Sequence, residues 1–211
     1  MVEHVATGVA DGEESAHPGN GTVAAVSTYT PLPAAHDADG HVVRWRTWDG
    51  LHDETVTVRW ENEGYTVSGV VGRERVEYVL RLSPTWQARQ FILFRDLEEP
   101  DLWLATDGHG RWGEMNGAHR TELDGCYDLD LRCTPFTHSL AIRRLPLLDG
   151  HTAEIPVVTV DIDTLEVRAE PHRYTRHDAL RWTVGRAEGD VQLSLDEHGI
   201  VVDQVDHYRR A

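Results

Sequence analysis

The chain has 211 residues and a formal net charge of −16 at pH 7, from 36 acids against 20 bases. All 20 bases are arginine; lysine does not occur. The length suits one domain with a real core, or two small ones at most. The charge argues against nucleic acid or an anionic membrane as a partner, because the long-range force would be repulsive.

Residues 1–40 hold few bulky apolar side chains and are rich in Gly, Ala, Asp, Pro and His. They read as a flexible acidic leader, with one candidate short strand at 22–30. From residue 41 the character changes, and 41–211 reads as a single domain. Val42, Trp45 and Trp48 open it, and the TVTVRW run at 55–60 alternates with strand period. Strands follow at 65–71, 75–82 and 89–95, separated by Glu63-Gly64, Gly72 and Ser83-Pro84. Alternation assigns Val56, Val58, Val67, Tyr78, Leu80, Leu82, Ile92 and Phe94 to an inner face. Core filling is the common role of such residues, and lining a cavity the rarer one. Strands at 102–107 and 110–115 are divided at Asp107-Gly108, a two-residue hairpin signal.

The densest segment runs from residue 123 to 148, LDGCYDLDLRCTPFTHSLAIRRLPLL. Asp128, Asp130 and Arg132 alternate with Leu129, Leu131 and Cys133, which predicts a strand with one charged and one apolar face. Thr134-Pro135 predicts an N-cap followed by the first helical residue. Pro146 ends the helix, because the residue before proline is pushed out of the α region. The predicted helix is therefore 135–145, with Phe136 and Leu140 on one face and Arg143 close to it. Arg143 and Arg144 sit where cations suit the negative end of the helix dipole. Asp124, Asp128, Asp130, Arg143 and Arg144 together form a candidate ion-pair network that docks the helix on the sheet. Its sharper alternative is a polar anchor for a ligand.

Beyond the helix, alternation returns at 152–160, 165–173, 180–187, 191–196 and 200–207, with turns at Asp149-Gly150 and Glu197-His198-Gly199. The whole is mainly β, about a dozen strands with one helix near the middle. Antiparallel strands joined by short turns must curl or close to hide their edges.

Cys126 and Cys133 are seven residues apart, about 23 Å if fully extended. A disulfide needs Cα atoms within about 7 Å, so both are expected free and buried. No CxxC or HxxxH spacing supports a metal, and neither metal nor cofactor is expected. No run approaches the ~20 apolar residues of a membrane span. The start of the chain has neither a basic nor an apolar signal region, so a cytoplasmic location is expected. The acid excess fits a halophilic protein with an acidic surface, since molar salt screens the self-repulsion. A GC-rich genome that favours arginine is the alternative.

The run DGCYDLDLRCTPFTHSLAIRRL at 124–145 resembles the hallmark segment of the glycolipid-binding family with the spiral β-roll fold. The similarity extends upstream to Gly108-His109-Gly110-Arg111-Trp112. Downstream it takes in Arg173-Tyr174-Thr175 and Gly199-Ile200-Val201-Val202-Asp203. It covers about residues 42–210. His138, Ser139 and Ala141 depart from the family's Asn, Thr and Pro. The resemblance implies a long antiparallel sheet curled around a single central α-helix, with a lipid or glycolipid ligand held inside.

The candidate ligand contacts are Arg143, Arg144, Asp128, Asp130, Phe136, Trp86 and Trp112. Trp86, Trp103 and Trp112 lie near turns, where a flat ring can stack on a sugar. Two other classes stay open. One is a hydrolase of sugar or lipid esters using Asp128 and Asp130, about 7 Å apart along a strand. Two acids on one strand rarely flank a substrate, and GxSxG, HExxH and glycine-loop motifs do not occur. No catalytic residue is assigned. The other class is a ligand-free scaffold that forms a homodimer.

Overall fold

The structure is a computed structural model that describes residues 29–32, 40–72, 76–96 and 98–211. The candidate strand at 22–30 and most of the expected leader lie outside these residues. Tyr29 and Leu32 do lie within them and are buried, and the Thr30 N–H donates to the Glu197 carbonyl at 2.9 Å.

Seven strands come first: β1 His41–Thr47, β2 Asp53–Glu61, β3 Gly64–Val71, β4 Val76–Leu82, β5 Ala88–Arg95, β6 Leu102–Thr106 and β7 Trp112–Glu114. A 3-10 turn at Thr121–Leu123 leads to β8 Asp128–Leu131, and then to the one α-helix, α1 His138–Arg144. Six strands follow: β9 Thr152–Val160, β10 Val167–Arg176, β11 Arg181–Arg186, β12 Gly189–Leu195, β13 Val201–Gln204 and β14 Tyr208–Arg210. All fourteen strands join one open sheet in the order β7-β6-β5-β4-β3-β2-β1-β14-β13-β12-β11-β10-β9-β8. Two meanders of seven strands thus meet at the centre, where β1 pairs with β14. A sheet this wide curls, because strand twist accumulates across it. The pairing is antiparallel except between β8 and β9, which are parallel. Parallel neighbours need a crossover, and α1 supplies it.

The core lies on the inner face, and α1 joins its two parts. Phe136 and Leu140 pack with Trp45, Val56, Tyr78, Leu80 and Phe91 of the first meander. Ala141 and Ile142 pack with Val157, Tyr174, Trp182 and Val184 of the second. Every residue from His138 to Arg143 is buried, as in a helix enclosed by its sheet.

Three sequence expectations need correction. The α-helix starts at His138, not at Pro135. Thr134 Oγ does accept the Phe136 N–H at 3.0 Å, but the turn it caps is tighter than α. Ser139 N–H reaches Phe136 O and Leu140 N–H reaches Thr137 O, both three residues back. Thr137, at the N-cap position, makes no side-chain cap bond. Its hydroxyl instead accepts the Leu131 N–H and donates to Asp130.

The second correction is one of parity. Ile92 and Phe94 are only half-buried, whereas Phe91 and Leu93 are fully enclosed. A register shift at Arg81/Leu82, where β5 starts at Ala88, inverts the faces of that strand. The third is that the strand expected at 200–207 forms only at Val201–Gln204 as β13, and β14 follows beyond it at Tyr208–Arg210. The acid face of β8 is buried, with Asp128 1% and Asp130 2% exposed.

Candidate functional site

The site begins with parity on β2. Glu54 precedes Val56 and Val58 on the inward side of that strand and is 2% exposed. Sequence reading passed over it, although its spacing from Val56 was the available signal. On β4, Tyr78 also points inward, and its hydroxyl donates to Glu54 Oε1 at 2.9 Å. The ring must cross β3 to get there. Gly69 pairs with Tyr78 on one side and with Val56 on the other. A Cβ at Gly69 would sit 2.1 Å from the Tyr78 ring, so only glycine lets Tyr78 reach Glu54. The Thr134 hydroxyl, ahead of α1, completes the cluster 3.3 Å from the Tyr78 oxygen.

Burial pushes the Glu54 carboxyl up to about 8, against the pull of its hydrogen bonds to Thr134 and Tyr78. At neutral pH it is a neutral acid that can donate a hydrogen bond. Its Oε2 has no partner among the described residues. Buried polar atoms are rarely left that way.

Glu54 lies in the wall of a cleft of about 380 Å³, within the ~300–1,000 Å³ usual for small-molecule sites. The β1–β2 turn contributes Thr47, Asp49 and His52, and the β9–β10 turn contributes Asp161 and Asp163. Arg132, Cys133 and Tyr208 close the third side. Several rim acids are held ionised. The Thr47 hydroxyl and the Leu51 N–H lower the Asp49 pKa. Arg46 does the same for Asp53, and backbone N–H groups do so for Asp161. Arg132 is occupied by Glu170 and Glu188. The cleft therefore offers many acceptors and one buried donor.

None of the seven sequence-predicted contacts lines this cleft. The five proposed network residues do not form one network either. Arg144 grips Asp128 with two nitrogens, Nε–Oδ1 at 3.2 Å and a closer Nη2–Oδ2 contact. Asp124 meets His119 instead, at 2.8 Å near the surface. Asp130 takes the Thr137 hydroxyl at 2.9 Å, with His138 and Arg186 at 3.9 and 3.7 Å. Burial works against the Asp130 charge and holds His138 neutral, its pKa lowered to about 4. His172, the next charge neighbour, is also pushed toward its neutral form by burial, which leaves Arg186 and the Thr137 hydrogen bond to hold the Asp130 carboxyl below its usual range. Asp128 and Asp130 are committed inside the fold, which leaves a glycosidase-type pair there without access to substrate.

Arg143 has no carboxylate within ion-pair distance among the described residues; it stacks on Trp86 at 4.1 Å. Phe136 is a core residue at 0% exposure. Trp112 is sealed as well, its indole donating to the Cys126 carbonyl at 2.9 Å. Cys126 and Cys133 are buried and form no disulfide.

Residues 42–210 match the family described as "Putative glycolipid-binding", and the chain belongs to that family. Among solved structures it is similar to the crystal structure of a DUF1089 family protein from Pseudomonas aeruginosa. The two share 30% identity over 75% of this chain and 92% of that one, with a TM-score of 0.65. A comparison with curated proteins finds no match.

Proposed function

We propose that this protein binds a glycolipid through its sugar head group, seated in the Glu54 cleft. The observation that carries the reading is the buried, neutral carboxyl of Glu54, which keeps one oxygen without a partner among the described residues, in the wall of a cleft rimmed by carboxylates. Sugar hydroxyls donate to carboxylates and accept from a protonated acid, so this donor set suits a neutral or amino sugar. Trp48 and Leu51, on the same β1–β2 turn, are 48% and 74% exposed and give an acyl chain an apolar surface beside the cleft. The interior offers less support for the chain, because Trp45, Trp86, Phe136 and Leu140 occupy it. The enclosed helix and the fourteen-strand course are consistent with reading the fold as a spiral β-roll. No helix among the described residues is long and apolar enough to cross a membrane.

Calorimetric titration with octyl glucoside and octyl maltoside, below their micelle concentrations and at high salt, tests the proposal. Saturable binding is expected for both, lost in Glu54→Leu. The parent's affinity should weaken as pH passes 8, where Glu54 ceases to donate, while Glu54→Gln should show no such step. Equal binding by the parent and Glu54→Leu would exclude the cleft as the head-group site.

A further inference from the structure

At the opposite end of the first meander lies a second group of unsatisfied polar atoms. Arg143, in the last turn of α1, is 8% exposed. One of its terminal nitrogens donates to the His198 carbonyl, and its buried Nε has no partner among the described residues. Burial lowers its pKa to about 10. The Trp86 indole under the guanidinium also keeps a buried Nε1–H without an acceptor. Both atoms are donors only. Whatever satisfies them brings acceptor oxygens, and the uncompensated charge favours an anion.

Trp86 is held there against its own backbone preference. Its φ is +65°, a region bulky L-residues rarely adopt. Ser83 fixes the turn: its carbonyl takes the Trp86 N–H, and its hydroxyl takes those of Thr85 and Gln87. Backbone strain of this kind concentrates at ligand sites. Toward solvent the ring contacts continue from Trp86. Tyr65 lies 5.1 Å from Trp86, and Trp60, 49% exposed, lies 4.9 Å from Tyr65.

We propose that Arg143 and Trp86 form a second ligand site, one that takes a carboxylate or phosphate carried on a flat or apolar body. The oxyanion meets the guanidinium and the indole N–H. The body lies along Tyr65 and Trp60. The protein's net charge of −16 opposes anions at long range, so recognition is short-ranged and depends on the ring contacts as well as the charge. Trp60 is six residues along β2 from Glu54, about 20 Å, so the two sites can fail separately.

Three probes separate the sources of the oxyanion at fixed ionic strength: inorganic phosphate, phenyl phosphate, and dodecyl phosphate below its micelle concentration. Phenyl and dodecyl phosphate should bind saturably and change the tryptophan fluorescence, and inorganic phosphate should bind more weakly than either. Arg143→Met should weaken phenyl phosphate at least tenfold. Trp86→Phe, which keeps a ring but loses the donor, should also weaken it. Without a probe, Arg143→Met should melt only slightly below the parent, since it gives up the His198 hydrogen bond and the Trp86 contact but also removes a buried charge with no carboxylate in ion-pair distance among the described residues; a purely structural arginine would lower it sharply. If Arg143→Met does not fold, Arg143→Lys carries the test. It keeps the charge without the planar fork, and should bind phenyl phosphate several-fold more weakly. Absence of binding to the parent, or unchanged affinity in the folded Arg143 variant, overturns the proposal. Loss of octyl glucoside binding in Glu54→Leu has no bearing on it.

Discussion

Glu54 makes the sharpest residue-scale prediction. A free glutamate titrates near 4.5 and this one at about 8. The folded state thus holds a proton that the unfolded chain has released between those values. The stabilisation is complete below pH 4.5 and is lost as pH rises through 8, at roughly 1.4 kcal/mol per pH unit between them. Glu54→Gln cannot ionise, so its stability relative to the parent should climb from pH 5 to 8 and then level. Urea denaturation at each pH measures this. A constant difference between the two proteins would mean that Glu54 is charged at neutral pH.

Arg144 and Arg143 are neighbours, but only Arg144 has a carboxylate partner among the described residues. Arg144 pairs with the buried Asp128, so Arg144→Met should cost about 3–5 kcal/mol by leaving that carboxylate uncompensated. Asp128→Asn should recover part of the loss in the double variant, because it removes the stranded charge. Equal melting of Arg144→Met and the parent would show that the pair contributes nothing.

At the scale of the element, α1 is short and depends on what precedes it. Thr134 Oγ accepts the Phe136 N–H and also meets the Tyr78 hydroxyl. Thr134→Ala should therefore cost about 1–2 kcal/mol, the upper end of a lost cap, because a second buried group loses its partner. Phe136 lies between Trp45 and Trp86, with ring centroids 6.4 and 6.2 Å away. Phe136→Ala should cost about 3–5 kcal/mol as a core truncation. If guanidinium midpoints rank Thr134→Ala as the worse of the two, the helix is held by its polar start and not by its apolar face. The existence of the helix was legible from Thr134, Pro135 and Pro146. Its first residue was not, because the Thr137 hydroxyl goes to Asp130, a partner that only tertiary packing supplies.

For the whole molecule, the excess of acid predicts a strong response to salt. Self-repulsion at net charge −16 should loosen the fold in dilute buffer, and screening should restore it. Melting temperatures should rise steeply from dilute buffer to molar KCl. A flat profile would leave genome composition as the reason lysine is missing. Partly buried arginine–carboxylate pairs such as Arg144–Asp128 should respond less than surface charges, because salt screens them less.

Local signals determined much of this protein. Alternation and turn residues placed most of the strands and the single helix, because strand period and proline chemistry are properties of neighbouring residues. The 124–145 run identified the family. The tertiary structure decided what spacing cannot encode. The Arg81/Leu82 register shift turned Phe91 and Leu93 inward in place of Ile92 and Phe94. Curling of the sheet buried the acid face of β8 and gave Asp128 and Asp130 different partners. Glu54 looked like one polar residue beside an alternating strand. It became a candidate site only when Gly69 let Tyr78 cross β3 and Thr134 arrived from a segment eighty residues away (residues 54 and 134). Burial and long-range pairing set the charge of a side chain, and both depend on the complete fold.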